Sequence, residues 1–410
     1  MSRTLLLSAL VVAVLLTGLV TASAAVDDSP SAIGDATDEV VTVANTTNYM
    51  SPTPGSTARN GYVRSNVDVA AGVGSAVDQI RGQRDSLSFT RRYEGTNGSG
   101  AKLALVRTII DRTETRLADL DARQESLFRS YTNGSISGEQ FLRSLARLDA
   151  RATQCRQLLE GVNSRVRTDR ATNLPVSLQT RLATLRAELV TLPASLTSQI
   201  AGSLRGTAAP IAVYTEGSDN DIVLATANES AFIRQATLRS EYTPGEPNQF
   251  DQSEEEPISV AFDRARTLYP WVSTNLQSIN RIAGFGDSDV YYVDLSHPHG
   301  DLRSYIHGGS TDVFLEEHRQ RPSAVPVQLT ASNTTDTLAV RVNASAETGP
   351  MRVSVTRGPS NAPVRASVSI NGDPVGSTGA DGALWTVRPS GSLRVNATAP
   401  DGTSAVVSRP

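Results

Sequence analysis

Lysine is almost missing from this chain. Of 38 basic residues only Lys102 is a lysine and the other 37 are arginine, a bias that folding alone does not demand. The formal net charge is −4 and no block of basic residues occurs, so the electrostatic footprint of a nucleic-acid binder is absent and no nucleic-acid partner is expected. A single cysteine, Cys155, excludes an internal disulfide framework. It lies on an apolar helical stripe, where a buried, inert thiol is expected rather than a nucleophile. No P-loop, G-x-G-x-x-G, H-E-x-x-H, G-x-S-x-G or paired-cysteine pattern is present, and with them go the commonest phosphate, dinucleotide, zinc and serine-hydrolase chemistries. No catalytic residue and no cofactor is expected. Beyond the first 25 residues no apolar run reaches 18, so no transmembrane segment is expected in the mature chain.

What is there begins with Arg3, an apolar run from Leu5 to Val20, and Ala22-Ser23-Ala24. A charged start, a short apolar core and a small-x-small end make residues 1–25 a secretory signal peptide, cleaved after Ala24 or Ala25. A retained anchor is the alternative. Residues 26–62 are rich in Asp, Ser, Thr, Pro and Gly and poor in large apolar side chains, which predicts a flexible leader.

The stretch 63–206 reads as helices. Val106, Ile110, Thr113, Leu117, Leu120, Gln124, Leu127 and Tyr131 alternate spacings of three and four, the seam of a helix packed lengthwise on a partner. Asn133-Gly134 interrupts it, and Ser137 with Gln140 reads as a capping box opening the next helix. There Phe141, Leu145, Leu148, Ala152, Cys155, Leu159, Val162 and Val166 repeat the spacing, so the two helices are expected to lie antiparallel. A weaker stripe precedes them at Val67, Ala70, Gly74, Val77, Ile80, Arg84 and Leu87, and is expected to pack on that hairpin. Leu178 to Leu196 gives a fourth helix, kinked or broken at Pro193.

From 207 to 322 the period shortens toward two. Ile211–Tyr214 and Ile222–Ala225 predict a hairpin, 232–238 a further strand, 258–283 a helix, and 290–318 strands separated by turns. Over 257–320 the helix followed by strands resembles the PepSY family, with His307 standing where the family has an aspartate; the resemblance implies binding or inhibition of peptidases. From 323 to 410 the alternation is clean: Leu338, Val340, Val342 and Ala344 face one way, and Val364, Ala366, Val368 and Ile370 do the same. With Asn371-Gly372 and Asp381-Gly382 at turns, this segment resembles the carboxypeptidase regulatory-like, transthyretin-like β-sandwich. Signal peptide, helical hairpin, α+β unit and β-rich tail together resemble secreted haloarchaeal proteins of no assigned activity. The expected fold is thus multidomain α plus α+β plus β: an antiparallel helical bundle or coiled-coil hairpin, a small α+β module and a C-terminal β-sandwich.

Few residues point to chemistry. His297, His299, His307 and His318 fall within 22 residues, and His297-x-His299, with His307 or Asp301 as a third donor, is a candidate metal set. Pro298 and Gly300 argue instead for a solvated turn tip whose rings do not converge. Asp294, Ser296 and His299 supply triad residue types, but as neighbours on one strand they lack the geometry. Seven Asn-x-Ser/Thr sequons, at Asn45, Asn97, Asn133, Asn228, Asn333, Asn343 and Asn396, are glycosylation candidates in an exported chain. The expected function is a non-catalytic cell-envelope or secreted protein, with a helical spacer or assembly element and β-modules that bind an envelope or extracellular protein partner. The alternatives are a PepSY-like peptidase inhibitor or chaperone, and a metal-binding protein using the 297–318 histidines.

Overall fold

The computed structural model describes residues 46–53, 56–169, 172–190, 192, 195–285, 288–358 and 360–409, all within one compact unit. The expected signal peptide, Asn45 and Pro193 lie outside them.

Strand β1 (Arg59–Ser65) pairs antiparallel with β2 (Ile211–Ser218), Arg59 opposite Gly217 and Ser65 opposite Ile211. Between these two sheet neighbours the chain inserts five helices: α1 (Val69–Glu94), α2 (Ser99–Thr132), α3 (Gly138–Thr168), α4 (Val176–Glu188) and α5 (Ser195–Leu204). The seams of α2 and α3 form as spaced, with Val106, Ile110, Thr113, Leu117 and Leu120 buried against Phe141, Leu145, Ala152, Leu159 and Val162. Ser137 and Gln140 make the reciprocal capping box at the start of α3, satisfying two backbone N–H groups that a helix start otherwise leaves bare. The fourth predicted helix is two, α4 and α5, with Leu189 and Leu192 buried in the break between them.

The helices do not stand apart from the strands. Val213, Ile222, Leu224 and Ile233 join their core, and the Tyr131 ring stacks on Phe141 where α2 and α3 meet the sheet. That sheet has eight strands in the order β1-β2-β3-β4-β8-β7-β6-β5, adding β3 (Asp221–Ala227), β4 (Phe232–Thr237), β5 (Ser278–Gly284), β6 (Val290–His297), β7 (Gly300–His307) and β8 (Val313–Gln320). Its opposite face is covered by α6 (Pro257–Leu268), by α7 (Pro270–Thr274) and by the segment 46–53.

Beyond it, two four-stranded antiparallel sheets share one apolar core. One runs β14 (Ala383–Val387), β11 (Pro350–Arg357), β10 (Leu338–Ala344), β9 (Gln328–Thr334); the other runs β13 (Asp373–Ser377), β12 (Ser367–Ile370), β15 (Leu393–Thr398), β16 (Ser404–Arg409). Val340, Val342 and Val353 of the first meet Val368, Ile370 and Val395 of the second. The β12–β13 turn is Asn371-Gly372, both at positive φ, the backbone that a two-residue hairpin requires.

Four expectations are corrected. The leader is not free over its described part: Thr46 to Met50 are buried and 59–62 begin β1. The helix expected over 258–283 stops at Leu268, because Pro270 cannot continue it, and Ser278–Gly284 is the edge strand β5. The sheet expected within 207–322 is wider than that span, since β1, from residues read as leader and helix start, pairs with β2 at its edge. The fourth correction concerns α1. Its predicted packing stripe points to solvent, and the helix meets α3 through the other face.

Candidate functional site

Two constellations invite a functional reading, one inside the sheet and one outside the helices. The inner one centres on Arg234 of β4 and Glu316 of β8, both fully buried, Nη1 to Oε1 2.6 Å. Arg234 also donates Nε to Thr348 Oγ1 (2.9 Å) and Nη2 to the Met50 carbonyl. Glu316 Oε2 accepts from Tyr269 (2.7 Å) and from the Met50 backbone N–H (3.0 Å), while Tyr49 donates to Gln320 (2.8 Å). Burial raises the Glu316 carboxyl, but His318 at 3.1 Å, Arg234 and the Tyr269 hydroxyl outweigh it and hold the group below the usual range. The Tyr269 phenol is pushed well up, by burial and then by the Glu316 charge. Four pieces of chain meet at this knot: segment 46–53, the sheet, α7 with its preceding Tyr269, and the loop bearing Thr348. Every ion is matched by an opposite charge or a hydrogen bond, as a buried charge requires. It ties those four pieces of chain to one another.

The histidines are placed by this architecture. His297 and His299 are buried rather than solvated, because Trp271 stacks on His299 (centroids 4.3 Å apart, 17°) and meets His297 edge-on, while Thr46 covers the turn. The His297 ring is pushed down to about 3 by burial, then by His318 and His299. Burial also lowers His299 and His307. His307 stands at the far end of β7, roughly 23 Å of extended strand away, with Nδ1 accepting from the Gly309 N–H. The candidate set His297, His299 and His307 is therefore not brought together, and among the described residues no three His, Cys, Asp or Glu side chains are grouped to hold a metal ion. Asp294 accepts from Tyr292 and Arg303, Ser296 donates to Asp301, and neither touches His299. Cys155 is buried, its thiol pushed up by burial. Of the sequons, Asn97, Asn133, Asn228 and Asn333 are exposed, whereas Asn343 and Asn396 are half-buried on strands. Sequence reasoning missed Arg234 and Glu316, because Gln235 and Thr237 in β4 and Glu317, His318 and Arg319 in β8 hide a lone buried charge among polar neighbours.

The outer constellation is the exposed face of α1. Val67, Val69, Val73, Val77, Ile80 and Leu87, 41 to 76% exposed, are six of the nine large apolar residues exposed among the described ones. The opposite face holds the helix: Ala71, Phe89 and Tyr93 are buried in the helical core, and three aspartates are ion-paired. Asp68 pairs with Arg143 (3.3 Å), Asp78 with Arg151 (3.7 Å) and Asp85 with Arg116 (2.9 Å). Gly82 allows the close approach, since a Cβ there would lie 2.6 Å from Gln154 Cγ. Toward its C-terminal end the outward face carries Arg81, Arg84, Arg91 and Arg92, all exposed. A contiguous apolar stripe edged with charge is what an interaction surface looks like.

The family model described as a domain of unknown function, DUF7096, matches residues 1–209, the half of the chain that holds β1 and the inserted helices. The chain belongs to the DUF7096 family. A second model, the family of unknown function DUF7094, matches 213–326, from β2 to just past β8, and the archaeal fibronectin-III type-like domain matches 329–406. The C-terminal pair of sheets is thus similar to an archaeal fibronectin-III type domain, where the sequence pattern suggested a transthyretin-like one. No curated protein and no solved structure matches the chain. No helix among the described residues is long and apolar enough to cross a membrane.

Proposed function

We propose that the protein is an exported, non-catalytic component of a haloarchaeal cell envelope or secretome. In this reading the helical insertion is a coiled-coil-like assembly element and the β-units contact a structural surface partner. The observation that carries the proposal is the α1 face: a run of apolar side chains at helix-seam spacing, left in solvent by a helix that packs through its opposite face. The arginine bias supports a haloarchaeal source, and the secretory pattern of residues 1–25 supports export. Asn97, Asn133, Asn228 and Asn333 are where a glycan fits. Fractionation of the native host tests this reading: the protein should appear in envelope or medium and begin at Ala25 or Val26. A cytoplasmic protein that keeps Met1 refutes it.

A second reading, a PepSY-like peptidase inhibitor or chaperone, is favoured by one feature. β5 is the outer edge of the eight-stranded sheet and is largely exposed, with Ile279 48% accessible; an extended peptide adds to such an edge through backbone hydrogen bonds. Slowing of a co-purifying peptidase by the whole protein, lost on Ile279→Pro, would favour this reading over the first.

A further inference from the structure

The geometry points to a second copy of this chain as the occupant of the α1 face, two molecules packing antiparallel, helix against helix, about a two-fold axis near Val77. The inference rests on reading the helical insertion as an assembly element, and names its partner. Three observations carry it.

The first is periodicity. Val73, Ile80 and Leu87 recur at intervals of seven, with Val69 and Val77 on the same side, all exposed. A seven-residue repeat keeps a seam turned toward another helix along its length.

The second is the pairing of small with large. A Cβ at Gly74 would meet nothing within 4 Å, and Ala70 and Ala76 are exposed beside it. An antiparallel copy centred on Val77 sets Ile80 beside the other molecule's Gly74 and Leu87 beside its Val67. Ile80 then falls on a glycine, which lets the helices approach closely there.

The third is charge. All the exposed arginines of α1 lie from Arg81 onward, and Val69 to Val77 has no exposed charge. A parallel copy would set four arginines against their own equivalents. An antiparallel copy about Val77 sets Arg81 and Arg84 against Val73 and Ala70 of the neutral half and carries Arg91 and Arg92 past the start of the other helix, so the charge distribution chooses the direction.

The size of the face sets the strength. About Val77 the two helices overlap over Val69 to Asp85, about 17 residues or about 25 Å, and a seam about 10 Å wide covers roughly 250 Å² on each copy, roughly 500 Å² in all. Stable dimers bury about 1,200–2,000 Å². The association is therefore weak and concentration-dependent, suited to a protein crowded at a surface.

Sedimentation velocity on the protein purified from its host tests this, from about 1 µM to about 500 µM. The mass should rise toward twice the monomer. A variant carrying Val73→Glu, Ile80→Glu and Leu87→Glu should dimerise at least about 100-fold more weakly while melting at the same temperature, since all three side chains are exposed. Val77→Cys should oxidise readily to a covalent dimer and Leu87→Cys should not. A monomer at every concentration overturns the inference, as does a dimer indifferent to the triple variant. A monomer that instead binds anionic vesicles through the stripe also overturns it and assigns the face to lipid. Faster cross-linking through Leu87→Cys than Val77→Cys overturns the antiparallel arrangement. A monomer found in the envelope fraction defeats this inference alone; a cytoplasmic dimer defeats the exported reading alone.

Discussion

Replacing Arg234 by methionine tests whether the buried knot fastens segment 46–53, the sheet and the C-terminal unit together. Methionine keeps much of the side-chain volume and removes the charge, so the loss is electrostatic rather than a cavity. Glu316 then keeps Tyr269, the Met50 N–H and His318 but loses its only arginine. The Met50 carbonyl and the Thr348 hydroxyl lose a buried donor in the same step. Removing one partner of a buried ion pair costs about 3–5 kcal/mol, chiefly because the other charge stays buried. A loss near 4 kcal/mol is expected, a large share of the roughly 5–15 kcal/mol that holds a typical domain. Urea unfolding followed through Trp271, which stacks beside the knot on His299, reads it as a lower midpoint at unchanged slope. The cycle with Glu316→Gln separates causes: the double variant should be more stable than the sum of the singles predicts, by at least about 1 kcal/mol. Limited proteolysis should also cut near residues 46–53 sooner in Arg234→Met. A loss under about 1 kcal/mol, or strict additivity, would falsify the claim that this pair locks the segment.

Acid should weaken the fold through its buried histidines. His297 falls to about 3 in the folded chain against an ordinary value near 6.5. The unfolded state thus binds the proton first, and the stability held by the neutral ring is full above pH 6.5 and lost as pH falls toward 3. His297 alone predicts a loss of about 2 kcal/mol between neutrality and pH 5, with His299 and His307 shifted the same way; urea midpoints for wild type and His297→Gln at the two pH values should diverge accordingly. In α1, Gly74→Ala has open space for its Cβ and should stabilise by about 0.5–1 kcal/mol. Gly82→Ala drives a Cβ to 2.6 Å from Gln154 Cγ, so its melting temperature should fall while that of Gly74→Ala rises. Leu145→Asp places a charge at a fully buried seam position, and circular dichroism should show the helices melting early, since an unpaired buried charge costs several kcal/mol.

Much of the helical unit was legible because α2 and α3 bury every third or fourth side chain, and Ser137 with Gln140 marks a start that only a helix uses. The same rule failed for α1 in an instructive way. Periodicity announces a seam and is silent about what lies opposite it. Here the partner inside the molecule takes the aspartate face, through Arg143, Arg151 and Arg116, and those arginines sit 31 to 75 residues away in sequence. The segment TTNYM reads as leader by composition, yet several of its polar groups find distant partners: Asn48 donates to the Leu268 carbonyl, Tyr49 to Gln320 and the Met50 N–H to Glu316. Composition counts apolar area and cannot count such bonds. The His297-to-Gly300 turn looked solvated for the same reason, because its cover comes from Thr46 and Trp271. Over 278–284, Ile279 and Ile282 fit a helical stripe as well as a strand, and only pairing with β6 settles it.

The insertion of five helices between two paired strands bears on how the α1 face can work. Ser65 lies opposite Ile211 in the β1–β2 ladder, and the Asp68 N–H donates to the Leu204 carbonyl at 2.8 Å. The start of α1 and the end of α5 are thus fastened to each other, and β1 and β2 fasten both to the sheet. A helical unit tied at both ends cannot swivel about a single linker, so the direction in which Val73, Ile80 and Leu87 point is set by the sheet. Asp68 serves three purposes at that junction. It caps α1 through the Ala71 N–H, pairs with Arg143 of α3, and closes the insertion through its own N–H. A residue so placed couples the outward seam to the packing beneath it. Asp68→Ala should therefore fray the first turn of α1 and expose α3, weakening self-association although Asp68 itself lies off the seam. An association constant unchanged by Asp68→Ala would show that the seam acts independently of its anchorage.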